Sequence, residues 1–280
     1  MNREWRRKVY GNLMMGLCAL ATGTLLAVLF IVLGYIAYNG LHGLSLDFFT
    51  NMPAPVGLTG GGVAHAIAGS FVLVGIAFLI GVPWGVAAGI FLAEFKGSRL
   101  KETIRFTADV LNGIPSITAG IFIYTVVVVK MQTFSALAGG LALGIIMMPL
   151  VARNTEEMLR LVPQSMREAA MALGIPEWRV VLFVVLPTAA RGIAIGVSLA
   201  LAGVAGDPVP LFFTALNNNY WSLDLTQPIA SLPMEIFRYT AAPFAVWHEL
   251  AWTGALVLIG IVLVPMLLAR IVMPGFKIRR

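Results

Sequence analysis

One cysteine, Cys18, and three scattered histidines, His42, His65 and His248, are the only thiol and imidazole groups in this 280-residue chain. A single thiol excludes a disulfide framework within the chain. No His, Cys and carboxylate cluster has metal-ligand spacing, so metal catalysis has no support. Cys18 lies inside an apolar run and is expected to be a buried small hydrophobe. Charge is scarce as well: Asp, Glu, Lys and Arg make up 11% of the residues, against roughly a quarter in soluble domains. No Gly-x-x-x-x-Gly-Lys-Ser/Thr phosphate loop occurs, so ATP is not bound in that manner. No nucleophile–base arrangement stands out, and no polar constellation suited to an intramembrane enzyme can be assembled. What remains is apolar. With 59% hydrophobic residues and mean hydropathy +0.89, the chain reads as an all-α integral membrane protein with little mass outside the bilayer.

A hydrocarbon core of about 30 Å needs ~20 apolar helical residues. Runs of that length lie near residues 12–38, 64–93, 106–129, 135–152, 188–213 and 250–273, which predicts six transmembrane helices. The first run follows Arg3, Arg6, Arg7 and Lys8 but is about twice the length of a signal-peptide core, with no small-x-small site after it, so it is expected to be retained. With the N-terminus cytoplasmic, 17 of the 19 Lys and Arg residues fall in inside segments, and only Lys130 and Arg238 fall outside. Both termini are therefore expected in the cytoplasm. This distribution also explains the net charge of +6 without invoking nucleic acid.

Two outside segments are long enough to fold on the membrane surface. Residues 39–63, with Pro53, Pro55 and Gly60-Gly61-Gly62, suit turns better than helix. Residues 214–249 hold Asn217-Asn218-Asn219, Pro228, Pro233, Pro243, Trp221 and Trp247; the tryptophans read as interfacial anchors or as contacts for a partner protein. Within the spans, Gly81/Gly85/Gly89, Gly140/Gly144 and Gly192/Gly196 form small-xxx-small series that suit close helix packing inside one subunit or a dimer seam. Pro83, Pro115 and Pro149 fall inside spans, where each removes a backbone hydrogen bond. The stretch Asn112-Gly113-Ile114-Pro115-Ser116 is the candidate for a break facing a pathway.

The cytoplasmic segment at about 154–187 reads as two short helices meeting at a turn. Pro163 suits the start of the first. Met166, Ala169, Ala170 and Leu173 recur at helical spacing as one apolar face. Gly174 fits the left-handed position that ends such a helix. Pro176 opens the next turn, with Glu177 near the positive end of its dipole. Leu186-Pro187 is expected to close the element before the fifth span. An amphipathic helix on the membrane surface explains the apolar face. A projecting helix-turn-helix that enters a partner's groove also explains the spacing of Gly174 and Pro176.

Glu168-Ala169-Ala170, Gly174 and Leu186-Pro187 together make up the EAA loop pattern of ABC-importer permeases. Over nearly its whole length the chain resembles the PstA family of phosphate ABC-importer permeases. The matching stretches are Gly61-Gly62-Val63-Ala64-His65-Ala66-Ile67, Gly81-Val82-Pro83-Trp84-Gly85, Gly113-Ile114-Pro115-Ser116 and Met148-Pro149-Leu150-Val151-Ala152-Arg153-Asn154-Thr155-Glu156-Glu157-Met158-Leu159. Leu211-Phe212-Phe213-Thr214-Ala215-Leu216, Ile229-Ala230-Ser231-Leu232-Pro233 and Trp247-His248-Glu249-Leu250-Ala251-Trp252 complete them.

The resemblance implies a type I importer in the inner membrane. It would pair this chain with a PstC-like permease, two PstB-like ATPases that bind the ATP and magnesium, and a periplasmic PstS-like phosphate-binding protein. It also implies that Glu168, Ala169, Ala170, Gly174, Pro176, Leu186 and Pro187 form the loop that docks on the ATPase. The expected organisation is residues 1–63 as tail, first span and periplasmic loop, 64–273 as the permease domain, and 274–280 as a cytoplasmic tail.

One stretch departs from the family pattern. Where such permeases carry an Arg three residues before Gly-Glu-Thr-Ala-Pro-Leu, this chain has Gly203 and then Gly206-Asp207-Pro208-Val209-Pro210-Leu211. Arg153 keeps the family's fourth-span arginine. Charges inside spans normally face a cavity or partner, so Arg153 reads as a transient anion contact, or as a residue snorkelling to the interface or paired with Glu156 or Glu157. Asp207 reads as orienting an arginine or breaking the fifth helix with Pro208 and Pro210. Asp109 is a helix-end charge or a gate residue. Arg153, Asp207, Ser116 and Asn112 are the candidate pathway residues. A permease for another oxyanion or organic anion, and a non-transporting membrane sensor of phosphate, are the alternatives.

Overall fold

The computed structural model describes residues 3–55, 60–95, 97 and 99–272. Long apolar runs become long helices, because in lipid only intrahelical bonding satisfies the backbone. Helix α1 (Arg3–His42) leads into the short α2 (Leu46–Thr50), whose first turn is capped by Ser45 Oγ accepting the Phe48 N–H at 3.2 Å. Helix α3 (Ala64–Glu94) follows, then α4 (Arg99–Gly113) and α5 (Ser116–Ile123), which continues through a π-helical turn at 124–128 into α6 (Val129–Met131). Helix α7 (Ala136–Arg160) precedes α8 (Gln164–Ala172) and α9 (Glu177–Val180). The latter runs through a second π-helical turn at 181–185 into α10 (Leu186–Ala205). Helices α11 (Val209–Phe212), α12 (Leu232–Ala241) and α13 (Ala245–Val272) complete the described chain.

Five of these units are long and apolar enough to cross a bilayer among the described residues: α1, α3, α7, the continuous α9–α10 and α13. The third expected span differs. Residues 106–129 do not form one straight helix, since α4 and the α5–α6 unit meet at 104° across Ile114-Pro115. Pro115 therefore sits in the break instead of inside a span. Counted as one unit, the bent pair would bring the number of spans to six by length and composition. The charges Arg99, Lys101, Glu102, Arg105 and Asp109 make α4 far more polar than α5.

The heart of the bundle is α3 against α7. A Cβ built on Gly85 would stand 2.7 Å from Val151 Cβ and 2.8 Å from the Met148 carbonyl oxygen; one on Gly81 would stand 3.0 Å from Met147 Cβ. Gly144 meets Ile80 and Ala77 from the other side. Gly192 and Gly196 of α10 likewise admit the Met158 and Asn154 side chains of α7. These glycine series thus serve packing within the subunit. Backbone approach supplies the contact energy where burial from lipid gains little. Gly85→Leu should therefore destabilise the detergent-solubilised protein by about 1–3 kcal/mol, the usual range for overpacking. Gly75→Ala, where nothing lies within 4 Å of the new methyl, should not. Thermal unfolding of the two variants checks this pair.

Helix α1 stands apart over most of its length. Its contact with the bundle is at its last turns, where Tyr35 packs edge-on against Trp252 at 5.2 Å and Thr253 Oγ1 donates to the Gly40 carbonyl at 3.1 Å. Cys18 is consequently exposed on α1 and not buried as its apolar setting suggested.

Other boundaries shift too. Residues 39–63 are partly helical, because α1 runs to His42 and α2 buries Phe48. The expected tail 274–280 lies outside the described residues.

The connection from α11 to α12 folds over the start of α7. There the Ser135, Ala136 and Leu137 N–H groups donate to the carbonyls of Thr214, Gln227 and Leu225, each at 3.0 Å. Ser135 Oγ accepts the Ala138 N–H at 3.1 Å. The first N–H groups of a helix have no intrahelical partner, and here a distant loop supplies them.

Candidate functional site

Helix α7 extends to Arg160, eight residues past the end of its apolar run, and the segment expected to loop from about 154 therefore begins at Leu161. The extension is held by charge. Glu156 is 1% exposed and takes Arg105 of α4, Arg160 at 2.6 Å and Arg153 at 3.1 Å. The Arg153 Nε also meets Asp109 Oδ1 of α4 at 3.2 Å. Arg153 is thus paired, with Glu156 one turn on and with Asp109 across the helix interface. Asn112 follows Asp109 by three residues on the same face of α4, and Ser116 opens α5 just beyond the bend. The break thus lies between Asn112, near the end of α4, and Ser116, and the contact that ties Arg153 to this part of α4 is the one to Asp109.

Asp207 is not part of it. Gly196 of α10 packs at the level of Asn154, and Asp207 lies eleven residues further along, about 16 Å at helical rise. Its Oδ1 accepts the Val209 N–H at 3.0 Å, closing the turn between α10 and α11. Asp207, Pro208 and Pro210 therefore end the fifth span at Ala205, earlier than the expected 213. Gly203 faces open space.

At the basic end of the bundle the loop forms two helices at a turn. Gly174 has φ +78° and its N–H donates to the Met171 carbonyl at 2.9 Å, the left-handed closure expected of it. Arg179 and Val180 N–H groups donate to the Pro176 carbonyl at 2.9 and 3.1 Å, so Pro176 does open α9. The apolar face divides in two. Met166 and Ala170 turn inward with Val162 and Val180, whereas Ala169 and Leu173 are exposed, Leu173 at 81%. Glu168 and Gly174 are exposed as well, and Trp178 stands out beneath the Arg179 guanidinium. Arg167 ties the elbow down, pairing with Glu94 at the end of α3 and donating to the Leu159 carbonyl of α7 at 2.8 Å.

Leu186-Pro187 does not close an element. The helix from Glu177 to Ala205 is continuous. The Leu186 N–H reaches back to the Val181 carbonyl, and the wide turn at 181–185 absorbs the hydrogen bond that Pro187 cannot make.

A second polar cluster lies at the far end, and sequence reasoning passed over it. Glu235 of α12 is fully buried. It accepts from Asn217 Nδ2 at 2.9 Å, pairs with Arg238 at 2.6 Å, and faces His65 Nε2 of α3 at 3.6 Å. Arg238 also reaches Asn219 and lies over the Trp247 ring, so Trp247 belongs to this cluster, whereas Trp221 is exposed. Burial pushes the Glu235 carboxyl up, but the His65 and Asn217 contacts and the Arg238 charge outweigh it and hold it below its ordinary 4.5. Burial, aided by the Glu235 charge, pushes the Tyr239 hydroxyl up to about 12. The signal in sequence was a Glu and an Arg three residues apart in an outside segment otherwise poor in charge.

Among the described residues, no group of three or more His, Cys, Asp or Glu could hold a metal ion.

Comparison with known proteins agrees with this architecture. Residues 85–278 match the family described as "Binding-protein-dependent transport system inner membrane component". The phosphate transport system permease protein PstA of Yersinia pestis is 49% identical over 84% of this chain and 80% of its own length. The PstA of Pasteurella multocida is 41% identical over 96% of both. Among solved structures, an inward-facing form of the MetNI methionine ABC transporter superposes with a TM-score of 0.60 at 20% identity, covering 75% of this chain and 92% of that one. The last likeness is one of fold. With relatives this close over nearly its full length, the chain belongs to the PstA family of phosphate transport system permease proteins.

Proposed function

We propose that this chain is one of the two permease subunits through which inorganic phosphate enters the cell in an ATP-driven, binding-protein-dependent importer. Family membership makes it a multi-pass inner-membrane component that works with separate ATPase and substrate-binding subunits and is not itself an enzyme. The finer reading gives it a PstC-like permease, two PstB-like ATPases and a periplasmic PstS-like phosphate-binding protein as partners. ATP and magnesium belong to the ATPases, and this chain carries no cofactor of its own. The basic end then faces the cytoplasm, with both termini inside, as the distribution of Lys and Arg favours.

The observation that carries the coupling role is the exposed elbow at Gly174, anchored through Arg167 to both α3 and α7. A partner that grips Glu168, Leu173 and Trp178 and moves as a rigid body pulls on both central helices together. Transport in this reading alternates the bend at Asn112–Ser116 between closed and open, with Arg153 meeting the anion through its planar fork. Asp207 shapes the far end of the path by fixing the turn into α11. Gly203 favours a second reading, a permease for another oxyanion, because one cationic group of the family pattern is missing there.

Uptake by the complete reconstituted transporter decides between them. Radiolabelled phosphate should accumulate with ATP and resist competition by sulfate and molybdate; preferential uptake of either competitor would replace phosphate as the cargo. Arg153→Gln should lower the uptake rate on the order of tenfold, the scale of one charge-assisted contact. A normal rate in that variant would remove Arg153 from the path.

A further inference from the structure

We infer that Glu156 is a positioning residue of the transport path: it clips α4 onto α7 and holds the Arg153 guanidinium at the bend between α4 and α5. The inference rests on the importer reading above and adds a residue whose side chain does not itself meet the anion.

The geometry is specific. Glu156 Oε1 serves Arg105, from a helix 51 residues away in sequence, and Arg160, one turn on, while Oε2 serves Arg153. A carboxylate buried to 1% exposure is tolerated only when paired and hydrogen-bonded, and Glu156 satisfies that with three guanidinium groups. Arg105 is the one of the three that crosses to α4, so this pair fixes how α4 lies across α7. Arg153 is held at two points of unequal strength. Its Nη1 is bound to the buried Glu156, whereas its Nε meets Asp109, whose side chain is half exposed at 50%. An exposed pair contributes little and exchanges readily. Arg153 therefore has a fixed anchor and a replaceable partner, and the replaceable one lies on the α4 face that leads to Asn112 and the bend. Three guanidinium groups against two carboxylates leave one positive charge for an arriving anion to balance.

Two readouts on the intact, reconstituted transporter test this. The first is phosphate taken up per ATP hydrolysed. Glu156→Gln keeps the shape and removes the charge; it should cut that ratio on the order of tenfold with the ATPase subunit still bound, and Glu156→Asp should recover most of it. Glu157→Gln, exposed on the same helix, is the control and should match wild type. The second is hydrogen–deuterium exchange of residues 99–113, which should speed up in Glu156→Gln and not in the control. Should Glu156→Gln fail to assemble, Arg105→Gln removes only the α4 arm and should give both effects. A ratio within twofold of wild type, or unchanged exchange of α4, overturns the inference. Uptake and ATPase attachment falling together in both Glu156→Gln and Arg105→Gln overturns it too. A wild-type complex that imports no phosphate refutes the functional reading instead, and α4 exchange then tests Glu156 by itself.

Discussion

Gly174→Val should leave the chain folded in the membrane while stripping the ATPase subunit from it. The residue sits at φ +78° with nothing within 4 Å of where a Cβ would stand, so the main cost of a valine there is backbone strain. Left-handed backbone costs an L-residue roughly 1–2 kcal/mol, and more when the side chain is β-branched. That is a factor of about 5–30 in any equilibrium that needs the turn closed. The strain relaxes by opening the Met171–Gly174 hydrogen bond, which swings α8 relative to α9 and changes how the exposed Leu173 and Trp178 are presented together. The anchor at Arg167 and the core around Ala170 are untouched, so the spans should keep their thermal stability. Gly174→Asn is the discriminating partner, because asparagine tolerates this conformation and should retain docking. Co-purification of the ATPase with each variant, followed by uptake, gives the answer. An ATPase that stays bound to the valine variant at wild-type stoichiometry would mean that the elbow is not the coupling surface.

The parts of this machine that were legible in sequence were those set by one residue's own chemistry. Gly174 and Pro176 impose their turns wherever they stand, and the structure puts both turns where spacing predicted. Five spans followed from uninterrupted apolar length. The third did not, because hydropathy over 106–129 does not register that Arg105 and Asp109 already have partners waiting on α7. Those partners also explain why α7 outruns its apolar stretch. Glu156 had been visible only as a neighbour of Arg153, and its importance depends on Arg105, which no local pattern connects to it. Pro187 misled in the opposite direction. A proline reads as a stop, yet a π-helical turn upstream lets the helix pass through, and such a turn has no sequence signature here. Arg153 and Asp207 both stood out as charges in apolar surroundings, and sequence spacing does not show that the packing of Gly196 on Asn154 sets them at different depths. Pairwise contacts across long sequence separations are what the single chain of letters conceals.

Glu235→Ala should be the most destabilising single change at the far end of the bundle. The carboxylate is fully buried and holds Asn217, Arg238 and His65 from three different segments. Removing one partner of a buried ionic pair typically costs about 3–5 kcal/mol; the Arg238 side chain left behind is 30% exposed and regains some water, which puts the expected loss at the lower end of that range. The damage should spread along the 213–231 connection, since Leu216 and Asn217 sit at φ 56° and 57° and the Glu235 contact helps hold them there. That connection in turn supplies the carbonyls for the first turn of α7. A lower unfolding temperature together with faster proteolysis within 213–231 is the expected pair of results; Glu235→Gln, which can still accept from Asn217, should lose less. The pH dependence has a definite sign. A carboxyl held below 4.5 in the folded state contributes its full stability above that value and loses it as pH falls through 4.5 and below. Tyr239 acts at the opposite extreme: with its hydroxyl pushed up to about 12, its contribution is complete below pH 10 and declines as pH rises from there. Wild type should therefore soften in acid below pH 4.5, and Glu235→Ala should lack that particular transition. An alanine variant that melts with wild type and keeps the same acid response would show that the cluster does not secure α12 to α3.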